Sequence, residues 1–374
     1  MSLFGPLACQ RAYYYCGRCG QGSCPWDQAV GLTERRLSPA AEQLVALAGA
    51  LGDSFEEAAE EILPRLSGLR LSESTARRTT EGAGQRVGEH LSEGQTFGPS
   101  GAWDWHADAR GRRCAYVGID AVCVPQQGEG GAAAPGRMPY VALVYNPRPD
   151  VPPPGEAAPA PAPAPDRRPR MQARYLAGLY ELDALGLQLR RQAAQVGMEQ
   201  ADLWIGLTDG GNGLEEFVQK NFARPDVVLI LDFWHPAEDL GELARLLHPA
   251  DEEAARGQAK QWCQALKCEG GAAVLEQLRS LPVPRRKEVK EKYAEVVRYI
   301  GNNVHRMDYP YYRSQGWQIG SGPVESACKS VVGARMKLAG MRWKESGTDQ
   351  VCHLRALFKS GPGQWDAFWQ PSLN

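Results

Sequence analysis

A series of short apolar runs, two of which end at an aspartate, most strongly limits what this chain can fold into. Three strand-like runs follow one another directly, and two more are separated by segments with helical spacing. The runs cover residues 114–124, 140–145, 171–180, 203–208 and 227–231, and the intervening helices cover residues 182–194 and 213–222. Three consecutive strands followed by helix, strand, helix and strand indicate an α/β fold, with a mixed sheet flanked by helices.

Segments with helical spacing lie on both sides of this predicted sheet. Helix starts are predicted at Ser38, Ser54 and Ser72, and the three helices match the outline of a helix-turn-helix DNA-binding module. An ordinary helical linker domain has the same outline. Residues 126–136 and the proline- and alanine-rich residues 147–169 are expected to be loops. The predicted division is a cysteine-containing segment at 1–30, the helical module at 31–98, the first part of the core at 110–235, a helical insertion at 236–318 and the last part of the core at 319–374.

Charge is distributed unevenly along the chain. The whole sequence has 42 Lys and Arg against 44 Asp and Glu, which excludes a protein that is basic along its entire length. Residues 281–374, in contrast, contain 15 basic and 8 acidic residues. This local excess of positive charge indicates a polyanionic partner near the C-terminal end.

The sequence predicts neither a membrane segment nor a secretory signal. No stretch approaches the ~20 apolar residues that a membrane-spanning helix needs. Residues 1–7 lack a basic region followed by an apolar one. We therefore expect a cytoplasmic protein without a membrane partner, whose ten cysteines are reduced.

Three aspartates interrupt or end strands of the predicted sheet. Asp120 interrupts the first strand, and Asp209 and Asp232 end two later ones. A buried carboxylate is costly unless it is paired or binds a cation, so three of them on one sheet favour a site for magnesium or manganese. His235 follows Asp232 by three residues, and Glu325 lies near a predicted helix start; local capping and a favourable helix-dipole contact are the alternatives for these two.

Basic and aromatic side chains alternate after Glu325, as a surface that follows a phosphate backbone requires. For each basic residue taken singly, an ordinary solvated surface position is the alternative. The candidate DNA-binding residues are Arg335, Lys337, Arg342, Trp343 and Lys344, together with Arg77 and Arg78 at the start of the third predicted helix.

The N-terminal cysteines have the spacing of a zinc knuckle. Cys16 and Cys19 form a C-x-x-C pair, and Cys9 and Cys24 are the nearest further ligands. The remaining cysteines are expected to be ordinary core thiols: Cys114, Cys123, Cys263, Cys268, Cys328 and Cys352.

Three segments of the sequence are more specific than the patterns described so far, because together they resemble one protein family. They are LTDGGNGLEEF, LDFWHPAEDL and YYRSQGWQIGSGPVESACKSVVGARMKLAGMRW, of which GSGPVES…RMK…GMRW is the most specific. The chain resembles the bacterial insertion-sequence transposases of the ISKra type, relatives of the Mutator-like DDE transposases, from about residue 11 to residue 369. The resemblance implies an RNase H-like core with a helical insertion and a partial zinc ribbon, whose upstream C-x-x-C pair precedes this sequence.

Carried over by residue, the resemblance implies that Asp120, Asp209 and Glu325 are the catalytic acids. Asp232 and His235 match the family's Asp/Cys-x-x-His element. Two Mg²⁺ ions would then activate a water that nicks the end of the element, and the freed 3′-OH would attack target DNA. The implied partners are transposon ends and target DNA, with the chain as a homo-oligomer on DNA in the bacterial cytoplasm or nucleoid. The implied cofactors are Mg²⁺ or Mn²⁺, and Zn²⁺ at the N-terminal cysteines.

Two other functions fit parts of the same pattern. A truncated or domesticated transposase would bind DNA through its N-terminal helices without catalysis. A structure-specific nuclease would cut DNA but would not join it. The presence of all three acidic residues favours the strand-transfer enzyme.

Overall fold

The computed structural model describes most of the chain. It describes Ser2 and residues 8–32, 37–147, 171–211, 213–224, 226–282, 285–361 and 363–370. The predicted proline- and alanine-rich loop lies outside the described residues except at position 147. Among the helices of the described ranges, none is both long and apolar enough to cross a membrane.

A mixed five-stranded sheet forms the centre of the molecule. The strands are β1 (Tyr14–Tyr15), β2 (Gly22–Ser23), β3 (Cys114–Ala121), β4 (Val124–Gln127), β5 (Ala133–Arg137), β6 (Tyr140–Asn146), β7 (Gln172–Gly178), β8 (Leu203–Thr208) and β9 (Val228–Leu231). The central sheet has the order β7-β6-β3-β8-β9. Its first three strands are antiparallel, and β3, β8 and β9 run parallel. The predicted α/β class and mixed sheet are confirmed.

Helices cover both faces of the central sheet. They are α1 (Pro25–Ala29), α2 (Pro39–Leu51), α3 (Phe55–Glu57), α4 (Leu63–Ser67), α5 (Glu73–Ser92), α6 (Leu182–Gln195), α7 (Leu214–Asn221), α8 (Trp234–Leu247), α9 (Glu252–Glu269), α10 (Gly271–Ser280), α11 (Lys287–Asn303), α12 (Tyr309–Ser314), α13 (Gly322–Ala327), α14 (Ala334–Met336), α15 (Glu345–Lys359) and α16 (Gln364–Trp369). Residues Ala58–Ile62 and Cys328–Gly333 are π-helical and join α3 to α4 and α13 to α14.

Successive side chains of β3 point to opposite faces of the sheet and so belong to two different apolar layers. Tyr116 packs in one core with residues of α8 to α13, whereas Val117 and Ile119 pack in the other with residues of α5, α6 and α7. Both faces of the sheet are therefore buried, which explains why its strands appear as nearly continuous apolar runs in the sequence.

The three predicted helix starts in the N-terminal module are present. The side chains of Ser38, Ser54 and Ser72 accept hydrogen bonds from backbone N–H groups three residues later, at 3.3, 2.8 and 3.2 Å. Each satisfies one of the N–H groups that a helix start leaves without a helical partner.

Two buried arginines attach this helical module to the rest of the molecule. The guanidinium of Arg335 donates to the carbonyl of Gly49 at 3.2 Å, and that of Arg355 donates to the carbonyl of Ala50. These carbonyls belong to the last turn of α2, where orphan acceptors and the helix dipole favour a cation. Burial lowers the pKa of each arginine to about 10. Arg335 is 1% exposed, which corrects the expectation that it contacts DNA phosphates.

A hairpin replaces the loop that was predicted at residues 126–136. β4 and β5 pair in antiparallel fashion, and the backbone of Trp343 extends the pairing through bonds to Gln127 N at 2.7 Å and Pro125 O at 3.0 Å. The expectation of core thiols also needs a correction, since Cys123 and Cys268 are exposed. Cys123 lies between β3 and β4, and Cys268 lies in the last turn of α9.

Candidate active site

The register of the three parallel strands aligns the predicted aspartates. Ile119 of β3 pairs with Thr208 of β8, and Thr208 pairs with Leu231 of β9. Each of these paired residues is followed by one of the three aspartates: Asp120, Asp209 and Asp232. The three aspartates therefore lie in a row at one end of the sheet. This is the end at which parallel strands present their carboxyl termini, where α/β sites are commonly built.

Asp120 is the aspartate of β3. Its Oδ1 accepts a hydrogen bond from the backbone N–H of Ala121 at 2.6 Å. Burial, together with the negative charge of Asp209, raises the pKa of the Asp120 carboxyl, and hydrogen bonding and the charge of His235 oppose the shift. The site therefore holds a partly desolvated carboxylate close to a second one, an arrangement that a cation would stabilise.

Asp209 and His235 face each other beside Asp120. Oδ1 of Asp209 accepts from the backbone N–H of Gly211 at 2.8 Å, and Oδ2 lies 4.0 Å from Nε2 of His235. His235 is in the first turn of α8 and is about half exposed. One nitrogen of this imidazole is therefore accessible from the same side as the carboxylates.

Asp232, the third aspartate of the row, is buried and makes a hydrogen bond to the segment before α13. It is 1% exposed, and its Oδ1 accepts a hydrogen bond from the backbone N–H of Ser321 at 2.7 Å. Within the described residues, Oδ2 has no hydrogen-bond partner, and it lies 3.9 Å from Nε2 of His235. Asp232 thus connects the start of α8 to the glycine-rich turn that precedes α13.

A close approach between β3 and α13 positions Glu325. A Cβ atom built on Gly118 would lie 2.3 Å from Cγ2 of Val324, so the glycine allows α13 to lie directly on the strand. Gly118 and Asp120 share one face of β3 because they are two residues apart. The first turn of α13, which contains Glu325, therefore lies on the face of the sheet that carries Asp120.

Glu325 itself is engaged by neighbours on its own segment. Its Oε1 accepts from the hydroxyl of Ser321 at 3.4 Å, and its Oε2 pairs with Nζ of Lys329 at 3.3 Å. As placed, no three His, Cys, Asp or Glu side chains in the described part of the chain form a group that could hold a metal ion. Both carboxylate oxygens of Glu325 are thus paired within residues 321–329.

Cys328 is a site residue that the sequence did not reveal. Its thiol donates to Oδ2 of Asp120 at 3.7 Å. Burial and the charges of Asp120, Glu325 and Asp209 raise the pKa of this thiol, so all three predicted acids act on one buried atom. The available signal was its position three residues after Glu325, on the same helix face.

The donor set fits a hard divalent cation. The carboxylates of Asp120 and Asp209 lie at adjacent strand ends. In addition, the buried Oδ2 of Asp232 has no hydrogen-bond partner among the residues described. Carboxylate oxygens are the preferred protein ligands of magnesium and manganese.

A second feature joins two sets of candidate DNA-binding residues that are far apart in sequence. A groove of about 600 Å³ is lined by the start of α5 and by the segment before α15. Its exposed basic residues are Arg77, Arg78, Arg342 and Lys344, and its acidic ones are Glu56, Glu73 and Glu81. The buried Arg335 also borders it. Four exposed cations thus share one groove, although the sequence placed them in separate segments.

Two other candidates differ from these four exposed cations. Trp343 lines the groove but is largely buried, and its ring packs 4.8 Å from the guanidinium of Arg335. Lys337 is exposed, but it does not line the groove. Trp343 was predicted to bind DNA, and its burial leaves only 7% of it exposed.

The N-terminal cysteine pair lies on the turn between β1 and β2. The backbone of Cys16 donates to Gln21 O at 2.8 Å and accepts from Gly20 N at 2.9 Å. Hydrogen bonds from Cys19 lower the pKa of the Cys16 thiol, which favours the thiolate that metals bind. Cys9 is exposed, and the thiol of Cys24 faces the carbonyl of Ala12 at 3.0 Å.

Comparison of the chain with protein-family models gave no match, and comparison with curated proteins gave none either. The arguments about function therefore come from the residues and the geometry described above.

Proposed function

We propose that this chain is a DDE-type DNA transposase of the ISKra kind, which cleaves transposon ends and transfers the freed strand to target DNA. The observation that carries the proposal is the row of Asp120, Asp209 and Asp232 across three paired strands. His235 lies beside that row, and the Cys328 thiol couples it to Glu325. These are the residues that the sequence resemblance implies.

The sheet order supports an RNase H-like core. Three antiparallel strands lead to two parallel ones, in the order β7-β6-β3-β8-β9. Two of the proposed catalytic acids, Asp120 and Asp209, lie on or directly after the central strands β3 and β8. The helices α8 to α12 lie between the second and third acids, in the place of the family's helical insertion.

The chain's own residues have distinct roles in this proposal. Mg²⁺ or Mn²⁺, when held by Asp120, Asp209 and Glu325, would supply activation of the attacking oxygen and stabilisation of the leaving oxygen. Asp120, on the central strand, would hold the metal together with Asp209 of the neighbouring strand end. His235 is placed to orient a water or contact the scissile phosphate. Asp232 precedes α8, which carries His235, and its hydrogen bond to Ser321 joins that helix start to the turn before α13.

DNA would approach along the basic groove. Arg77, Arg78, Arg342 and Lys344 are exposed cations that can contact phosphates, and the acidic residues among them prevent uniform attraction. We further propose a partial zinc ribbon at Cys16 and Cys19, assembly as a homo-oligomer on DNA, and a cytoplasmic, nucleoid-associated location.

The test is metal-dependent nicking of supercoiled DNA by the wild type and by Asp120→Asn and Glu325→Gln. Both variants are expected to lose nicking in Mg²⁺ and Mn²⁺ because each lacks one of the proposed ligands. Both should still bind DNA in a gel-shift assay. Asp183→Asn, which changes an exposed aspartate paired with Lys220, is the matched control. Nicking at the wild-type rate in both variants would overturn the site assignment.

A non-catalytic DNA-binding protein is the second candidate. The observation that favours it is the ion pair of Glu325 with Lys329, which occupies the third acid. It predicts that wild-type protein binds DNA at the groove but does not nick it at any Mg²⁺ or Mn²⁺ concentration.

A further inference from the structure

Trp234 is an unusually exposed aromatic residue beside the candidate active site. It lies between Phe233 and His235, and its side chain is 52% exposed. Phe233 is buried and packs edge-on against the Trp234 ring at 5.4 Å, which fixes the orientation of the indole. Burial of such a large apolar ring would be favourable, so its exposure at this position needs an explanation.

An open cavity adjoins this indole. Its volume is about 470 Å³, within the range of roughly 300–1,000 Å³ that small-molecule sites occupy. Glycines line a large part of it, at Gly316, Gly320 and Gly322. A Cβ atom on Gly320 would lie 3.0 Å from Nε1 of Trp234, and one on Gly322 would meet no atom within 4 Å. The space beside the indole is therefore kept free of side chains.

Two cations lie on the Trp234 side of this cavity, whereas Asp232 lies behind Gly320. Arg313 is the one charged residue of the described chain that lines it. Nζ of Lys267 lies 4.8 Å from the Phe233 ring and 6.0 Å from the Trp234 ring. Arg313 also donates to the carbonyl of Lys267 at 3.4 Å, which keeps the two cations together. An occupant with a flat apolar face and an anionic group matches this combination.

We propose that the cavity beside Trp234 holds one unpaired nucleobase of the DNA, stacked on the indole, with its phosphate near Arg313 and Lys267. Every base has a π face, so such a site accepts any sequence. The cavity borders both the His235 turn and the start of α13, so a base held there would lie next to the strand being cut. This inference rests on the proposed function for its biological meaning, but base binding is measurable without cleavage.

The test uses a short single-stranded oligonucleotide that carries 2-aminopurine, and a duplex of the same sequence, in EDTA so that no cleavage occurs. Wild-type protein is expected to bind the single strand and quench its fluorescence. Trp234→Leu keeps an apolar residue but removes the π face, and should weaken single-strand binding about tenfold and abolish the quenching. Trp234→Phe should retain most of both.

Two further variants separate stacking from a general effect on the surface. Gly322→Leu places a side chain in the open space, at a position where an added Cβ meets no atom within 4 Å, and is expected to weaken single-strand binding in the same way. Trp26→Leu changes another exposed tryptophan, which does not line this cavity, and should behave as wild type. The proposal is overturned if the wild type does not quench the probe, if Trp234→Leu and Gly322→Leu bind it normally, or if duplex binding falls equally.

These measurements are independent of the proposed strand transfer. Loss of quenching in Trp234→Leu with no nicking activity in any protein would support base binding and count against the transposase. Normal nicking that depends on Asp120, combined with normal probe binding by Trp234→Leu, would support the transposase and reject the stacking site.

Discussion

At the scale of single residues, Asp120 illustrates how a reactive site reduces stability. Its carboxylate is partly buried and lies near the charge of Asp209, and its acidic neighbours also act on the thiol of Cys328. Folding therefore favours the protonated form of Asp120, and ionisation opposes folding. Such a residue weakens the fold, and the proposed metal site would account for its presence.

Asp120→Asn is expected to stabilise the metal-free protein at neutral pH. Because the folded-state pKa of Asp120 is raised, the wild type loses stability as the pH rises through that pKa, whereas the amide does not titrate. The melting temperature should rise by about 1–3 °C at pH 7. The difference should vanish below the ordinary pKa of 3.8.

Thermal unfolding followed by circular dichroism, in EDTA and across this pH range, makes that comparison. Added Mg²⁺ should raise the melting temperature of the wild type more than that of the variant, because a ligand stabilises the state that binds it. A lower melting temperature for Asp120→Asn in EDTA at pH 7 would show that the carboxylate is structural.

Sequence reasoning identified some of these residues and missed others for a physical reason. Asp120, Asp209 and Asp232 could be found because a carboxylate within or after an apolar run is unusual wherever it occurs. Arg335 was misassigned because its partners, Phe55 and the last turn of α2, lie almost 300 positions away. The role of Cys328 likewise depends on a contact across 208 positions.

At the scale of elements, the position of α13 depends on one missing side chain. Gly118 allows Val324 to contact the backbone of β3, and this contact sets the height of Glu325 above the sheet. The interiors of proteins are close-packed, so even one added methyl group at such a contact must move something.

Gly118→Ala is expected to displace α13 and so to reduce both stability and nicking. Overpacking of this kind costs about 1–3 kcal/mol in the free energy of unfolding. The second substitution Val324→Ala removes the clashing atom, so the double variant should recover most of both properties. Urea denaturation and plasmid nicking measure the two effects.

The control for that experiment is Gly257→Ala in α9, where an added Cβ meets no atom within 4 Å. It should be neutral or slightly stabilising, since alanine favours a helix over glycine. A double variant that is no better than Gly118→Ala would show that the strand contact does not position α13.

Elements were predicted well where their signal is local. The strand β8 and the starts of α2, α3 and α5 were predicted at the observed residues because apolar runs and serine caps act within a few positions. The hairpin of β4 and β5 was missed because its glycines and alanines resemble a loop. Its pairing is completed by Trp343, more than 200 residues later.

At the scale of the whole molecule, the basic groove unites the N-terminal module with the C-terminal segment. Arg77 and Arg78 come from α5, and Arg342 and Lys344 come from the residues before α15. Packing of α15 against α5 places them together. Both sets were predicted from the sequence, but their formation of one surface was not, since it depends on the docking of two helices that are distant in the chain.

Paired substitutions of these cations are expected to weaken DNA binding in a salt-dependent manner. Each phosphate contact contributes about 0.9 to the slope of log affinity against log salt concentration, so Arg77→Gln with Arg78→Gln should reduce the slope by about 2. Arg342→Gln with Lys344→Gln should do the same. Fluorescence anisotropy with a labelled duplex at several salt concentrations measures the slope.

Lys337→Gln is the matched control, because Lys337 is equally exposed but does not line the groove. It should leave the slope unchanged. If it lowers the slope as much as a groove residue does, or if the paired variants do not, DNA binds to a different surface.

The two buried arginines that hold α2 have a consequence for how this protein is made. A ribosome releases α2 and α5 first, but Arg335, Arg355 and the helix α15 that covers α5 arrive last. Glu325 is also synthesised after the three aspartates, because it lies later in the sequence. An interrupted translation product therefore lacks both the third acid and the anchors of its first helices. Such fragments leave apolar helix faces uncovered, so the N-terminal helices become fully packed only after the C-terminal helices have been made.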